Sequence, residues 1–311
     1  MASFDFIVAT PRPHAEELDR GTRARRQRRR KLLIDLALLV PGAGFLLLAM
    51  ILPLGQLILA SFGLFGLGAA GHFTLDNYIA VAGNVLFTSA FRFSLQIAVA
   101  TTLLSLVVAT ATAAVLQLDF PGRRLVGALY KIPLVVPSLI AAFLVLTMVG
   151  PGGMVARVLQ PYGIRWPSLL HDPSGAGIIV VLLWHNVPIT ILIVSAVAAA
   201  IPRPVIDAAR TLGAGPVRVF TRVIVPLCSP GISAAALLVF IDAFGTYAIP
   251  SLIGPAFPRA LSVTMTSEFL LHARWGTASA LGVAMILMTG MVLALYHALQ
   301  ARSRLLSGAV A

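Results

Sequence analysis

Charge is what this chain has least of. Aspartate, glutamate, lysine and arginine together make up 11% of its 311 residues, where a soluble domain carries about 25%. The polar coat of an ordinary soluble enzyme is missing. There is one cysteine, Cys228, which excludes an internal disulfide and a cysteine-based metal site. There are two lysines, Lys31 and Lys131, and neither closes a Gly-x-x-x-x-Gly-Lys run. The chain therefore has no P-loop with which to bind and hydrolyse ATP. Histidines stand apart at 14, 72, 171, 185, 272 and 297, with no metal-ligand spacing. No pair of carboxylates falls at helical spacing inside an apolar run, so we expect no catalytic residue, metal or cofactor. Gly66-Leu67-Gly68-Ala69-Ala70-Gly71 does match Gly-x-Gly-x-x-Gly. It follows an apolar helix and not a strand, however, and so reads as a flexible linker.

What the chain has in abundance is apolar length. Hydrophobic residues make up 59% and the mean hydropathy is +0.94. Six segments can each cross about 30 Å of hydrocarbon: Leu36–Ala60, Phe93–Leu116, Ile132–Val149, Ile178–Ala200, Gly231–Ile249 and Ala278–Ala298. The expected fold is all-α, a polytopic membrane protein with six transmembrane helices. Pro53, Pro133, Pro137 and Pro188 lie inside spans, where neighbouring helices can satisfy the carbonyls they free. The third span, carrying two prolines, is the shortest.

The net charge of +12 is unevenly placed. Nine of the 23 basic residues precede residue 32, ending in the run Arg23, Arg25, Arg26, Arg28, Arg29, Arg30 and Lys31. A nucleic-acid patch would interleave aromatics with the basic groups, and there are none here. The run abuts an apolar stretch about twice as long as a signal-peptide core, without a good small-residue cleavage site after it. It reads as a positive-inside anchor on a disordered basic cytoplasmic tail, residues 1–31, leading into a first transmembrane helix at 32–62. With the N-terminus inside, six spans put 18 basic residues on the cytoplasmic side and 5 outside. That split supports both termini, including a short tail at 301–311, in the cytoplasm.

Residues 201–226, between the fourth and fifth spans, form the informative loop. Pro204 is placed to open a short helix with Asp207 in its first turn. Gly213 is a natural left-handed stop, and Pro216 opens a second helix carrying Val219, Phe220 and Val223. The result is a cytoplasmic helix–turn–helix with small Ala208 and Ala209 on its surface. A plain connection needs only a few residues; this one is long, partly apolar and water-facing, as a docking surface would be.

The same loop resembles the permease subunits of binding-protein-dependent ABC importers. Their signature runs Glu-Ala-Ala, three residues, Gly, nine residues, then Ile-x-Leu-Pro. Here Asp207-Ala208-Ala209 is followed by Gly213 and then by Val223-Ile224-Val225-Pro226, with every spacing kept. The departures are Asp at 207 and Val at 223 and 225. Trp184, Pro188, Ile201-Pro202 and Ser229-Pro230-Gly231-Ile232 extend the resemblance, which covers residues 90–300 as a permease core.

The resemblance implies a type I importer permease, not an enzyme, multi-pass in the inner (plasma) membrane. Asp207, Ala208, Ala209, Gly213, Ala214, Phe220 and Pro226 would form the coupling loop, seated in a cleft of a cytoplasmic ATPase dimer. The absent P-loop agrees with that division of labour. A second permease subunit is implied, a distinct homologue in preference to a second copy, together with an extracytoplasmic solute-binding protein. That protein would touch the loops Gly150–Gly177 and Pro250–Trp275. Membrane lipid is expected as surroundings, and no nucleic acid as partner.

Asp242 is the one acid deep within a span, and an ionisable group there usually faces a cavity or a partner. Two readings are open: a pathway acid pairing with a cationic solute, or an acid hydrogen-bonded to a neighbouring helix. Asn186 and His185 have the same two readings, and Tyr247 joins the candidate pathway. Ala248-Ile249-Pro250-Ser251-Leu252-Ile253-Gly254 with Ser267-Glu268-Phe269-Leu270 looks like the spermidine/putrescine branch of the permeases. Branches carrying ferric iron, aminoethylphosphonate or thiamine have similar outer loops. An ion-driven secondary transporter is the rival from another class; it would show an inverted repeat and paired membrane acids, and neither is present.

Overall fold

The computed structural model describes residues 13–117, 120–150, 152–164 and 170–308, all of them helix, turn or irregular, with no strand. The chain divides into two units, one ending at Gln56 and one running from Leu57. Most of the first is α1 (Pro13–Ser61). The sequence alone gives no helix before residue 32, but Arg, Gln, Glu and Leu are good helix formers and Pro13 is tolerated at a helix start. The basic run is therefore helical and continuous with the span; residues 1–12 of the expected tail lie outside the described residues.

The second unit begins with the end of α1 and a turn into α2 (Asp76–Gly83). Asn77 Nδ2 donates to the Ser61 carbonyl at 3.0 Å, and the Ser61 and Tyr78 hydroxyls lie 2.8 Å apart. The Asn84 side chain accepts from the Leu86 N–H and so caps α3 (Val85–Val115). This span starts eight residues earlier than its apolar core, because a cap decides where a helix begins.

After α4 (Arg123–Leu129) a 3₁₀ turn at Ile132–Leu134 precedes α5 (Ser138–Val149) and α6 (Met154–Leu159). Apolar length alone starts the third span at Ile132. Pro133 and Pro137 each lack a donor, and a proline holds the residue before it out of the helical region, so the α-helix starts only after Pro137. The apolar segment that results runs over Ser138–Tyr162.

Asp172 takes hydrogen bonds from the Ser174 hydroxyl and the Ala176 N–H at the start of α7 (Ala176–Ala199). The serine bond is the larger cause holding the Asp172 carboxyl below its ordinary pKa. Beyond α7 come α8 (Arg203–Thr211), α9 (Pro216–Val219), a π-helical stretch at Phe220–Ile224 and α10 (Val225–Leu227). Then come α11 (Ser229–Gly245), α12 (Ala248–Ile253), α13 (Leu261–Leu270) and α14 (Trp275–Gly308).

Among the described residues five segments are long and apolar enough to cross a membrane, and the pair Pro216–Leu227 and Ser229–Gly245, bent by 69°, makes a sixth when counted as one span. The core lies where α3, α7 and α11 meet. Phe93 and Ile97, Val181 and Leu182, and Phe240 and Phe244 are buried there, with Ala98 and Ala243 letting the helices approach. Phe240 and Phe244 stack at 5.7 Å, and Phe91 meets Phe244 edge-on at 6.0 Å.

One end of this bundle is tied by bonds between distant segments. The Leu261 N–H donates to Ser94 Oγ at 2.7 Å, the His171 N–H to the Ile253 carbonyl at 3.0 Å, and Gln96 Nε2 to the Ser174 carbonyl at 3.4 Å. The loop at residues 200–228 lies at the opposite ends of α7 and α11.

Candidate functional site

The loop folds as two short helices around a left-handed glycine. Pro202, extended at φ −61° and ψ 129°, caps α8, so Arg203 and not Pro204 is its first residue. Asp207 is therefore the fifth residue of α8 and lies outside the first turn, where the helix dipole would have favoured it. Pro204 fits at the second position because that N–H has no partner in any helix.

Gly213 has φ +82°. The Ala214 N–H reaches the Ala209 carbonyl at 3.1 Å and the Gly213 N–H reaches the Arg210 carbonyl at 2.9 Å. These are the paired bonds of a Schellman ending, which needs a left-handed residue at this position. The stop expected after Leu212 is present.

Around the turn the apolar groups face outward: Leu212 is 89% exposed and Val217 75%. Asp207 and Ala208 are exposed, and Ala209, Ala214 and Phe220 half-buried. Pro226 shapes the next stretch of helix. Having no N–H, it cannot bond the Arg222 carbonyl, and its ring crowds that group. The helix widens instead, and the Val225 N–H reaches back five residues to Phe220.

The candidate pathway residues lie toward the other end of α7 and α11. Asn186 is 3% exposed; its Nδ2 donates to Asp242 Oδ2 at 2.9 Å and to the Leu182 carbonyl at 3.1 Å. The structure thus brings Asn186 and Asp242 together, while Asp242 keeps an exposed side. Tyr247 is 47% exposed, just past the end of α11. His185 turns a buried Nδ1 inward without a partner among the described residues.

Residues 102–305 match the family of binding-protein-dependent transport system inner membrane components. The chain belongs to that family. It is a membrane-spanning ABC transporter permease of the inner membrane, a transport subunit and not an enzyme. Such permeases work with ATPase subunits and a periplasmic binding protein.

Among relatives, the permease is 27% identical over 225 residues to the spermidine/putrescine transport system permease protein PotB of Haemophilus influenzae, covering 72% of this chain and 78% of that one. It is 35% identical over 173 residues to the trehalose transport system permease protein SugB of Mycobacterium tuberculosis, covering 55% and 57%. It is 32% identical over 174 residues to the molybdenum transport system permease protein ModB of Azotobacter vinelandii, covering 55% and 74%. Among solved structures, a bacterial ABC transporter importing the acidic polysaccharide alginate has the same fold. The TM-score is 0.77 at 18% identity, over 90% of this chain and 99% of that one.

Three features of the permease are not legible in its sequence. The fifth span, expected to run to Ile249, breaks after Gly245, and α12 begins beyond the break as a separate short helix. Glu268, 6% exposed, lies 3.4 Å from His272 Nδ1 and 3.5 Å from Arg274. Gly231 packs directly on Val197. Gly245 and Gly231 stand out as glycines in an apolar stretch, but glycine alone does not tell a break from a close contact.

Proposed function

We propose that this permease forms half of the pathway for a small polar solute, coupled through the loop at 201–226 to ATP hydrolysis in a partner. The observation that carries this reading is the fold of that loop. Two short helices turn about Gly213 and present exposed Leu212, Val217 and Ala208, a water-facing apolar surface that a protein cleft would cover. Asp207, Ala209, Ala214, Phe220 and Pro226 complete the coupling element. The other half of the pathway is a second permease, a distinct homologue in preference to a copy, and both termini of this chain are cytoplasmic.

The solute we favour is a polyamine such as spermidine or putrescine, delivered by an extracytoplasmic binding protein. The match to PotB is the longest of the three relatives above, and Asp242 supplies an acid for a cationic solute. Trehalose and molybdenum permeases match shorter stretches at higher identity, so fold and family leave the solute to the pathway chemistry.

Gly213→Val tests the coupling. Valine resists positive φ, and with nothing within 4 Å of a Cβ at 213 the effect is conformational, not steric. We expect normal membrane levels of the variant, reduced co-purification of the ATPase and little ATP-driven uptake. Arg302→Ala serves as the control and should behave as wild type. Normal transport by Gly213→Val with its ATPase still bound would overturn the reading.

A further inference from the structure

The helix break after Gly245 falls inside the apolar stretch Gly231–Ile249. Thr246 is extended there, at φ −60° and ψ 134°, and Tyr247 caps the start of α12. Non-helical backbone at membrane depth persists only where protein buries it or where it lines a water-filled cavity. Thr246 is half-buried and its carbonyl accepts from the Ser262 hydroxyl, but Asp242, Gly245 and Tyr247 are exposed on this chain, so the chain buries the break on one side only. Its open side faces the pathway or a partner lining the pathway.

What the break offers to that side is electronegative. A helix leaves its last four carbonyls without donors. Ala243 and Phe244 are buried, at 3% and 1% exposed, so the carbonyls on exposed residues are those of Asp242 and Gly245, and no donor from outside the helix reaches them among the described residues. They form the negative end of the α11 dipole, and the Asp242 carboxylate stands within the same last turn. Tyr247, 47% exposed, adds an aromatic side chain of the kind that attracts cations.

The counterweight is small. Asn186 donates to Asp242 but carries no charge, so it positions the carboxylate without neutralising it. No lysine or arginine occurs in α7, α11, α12 or α13. The one arginine of α3, Arg92, lines a cleft with Gln96 and Phe257.

We propose that the last turn of α11, with Asp242 and Tyr247, is a cation subsite for an organic ammonium group in transit. The proposal rests on the permease reading and the cationic solute favoured above, and gives that solute's ammonium group a place at the break in α11. An anion would be repelled there, and a neutral sugar would gain nothing from the charge.

The test reads local potential and needs no identified solute. Gly245→Cys and Tyr247→Cys are made singly in a Cys228→Ala background, within the assembled complex. Space is open at Gly245, where nothing lies within 4 Å of a Cβ. Each thiol is reacted with a trimethylammonium methanethiosulfonate and with its sulfonate counterpart, and the rates are normalised to a free thiol.

We expect a cationic preference of roughly tenfold at one or both positions, an electrostatic effect of a nearby unit charge. Adding Asp242→Asn should remove most of it, and adding Glu268→Gln should leave it. No charge preference, a preference that survives Asp242→Asn, or no reaction at either position would overturn the proposal. ATPase co-purification reports separately on the permease reading: a failed charge preference with the ATPase still bound overturns the subsite alone.

Discussion

A Cβ added to Gly231 would lie 2.6 Å from Cγ2 of Val197. The helices α7 and α11 therefore touch where only a glycine hydrogen fits. The contact joins the last turns of α7 to the first turn of α11, on either side of the loop at 200–228.

Gly231→Ala should overpack this crossing and destabilise the purified permease by about 1–3 kcal/mol. Val197→Ala in the same chain should recover most of the loss. Unfolding in mixed micelles measures both; a single variant as stable as wild type would show that the crossing can relax.

The pair Asn186 and Asp242 lends itself to a double-mutant cycle. Asn186→Leu alone removes the 2.9 Å donor and should cost about 1–3 kcal/mol. Asn186→Leu with Asp242→Leu should cost less than the sum of the single changes, because no partner is then left unmade. Additive losses would mean that the bond contributes nothing.

Glu268 gives an asymmetric expectation. Its side chain is 9% exposed, while those of His272 and Arg274 are 50% and 63% exposed. Glu268→Gln frees two groups that water can receive, and its effect on the melting temperature should be slight. Replacing His272 and Arg274 together with alanine leaves a buried carboxylate without a cation, at a cost on the order of 3 kcal/mol. The reverse order of stabilities would refute this account of the cluster.

Orientation can be measured by cysteine labelling from outside intact cells. Positions near His72, Arg157 and Arg259 should react, and positions near Arg123, Arg218 and Arg302 should not. Labelling at Arg218 from outside would remove the coupling loop from the cytoplasm.

Much of this architecture is legible in the sequence because lipid and helix endings impose simple rules. Apolar length locates the spans, and Gly213 locates a left-handed ending. The rest depends on local caps and tertiary contact. The Asn84 cap moves the start of α3, Pro137 delays α5, and Pro202 shifts α8 by one residue and takes Asp207 out of its first turn. Asp242 stands out as a lone acid. That Asn186, 56 residues earlier, holds it is settled only by the packing of α7 on α11.

The 69° bend at Cys228, between Pro216–Leu227 and Ser229–Gly245, makes this part of the molecule a crank. A push along the first arm delivers only about a third of its length along α11, the cosine of 69°. The larger component falls across α11, close to its contact with Val197. Asp242 sits about 20 Å beyond the bend at 1.5 Å per residue, near the far end of that arm. A thrust at the loop, were a partner to apply one, would therefore act mainly across α11 and load the bond that ties Asp242 to Asn186.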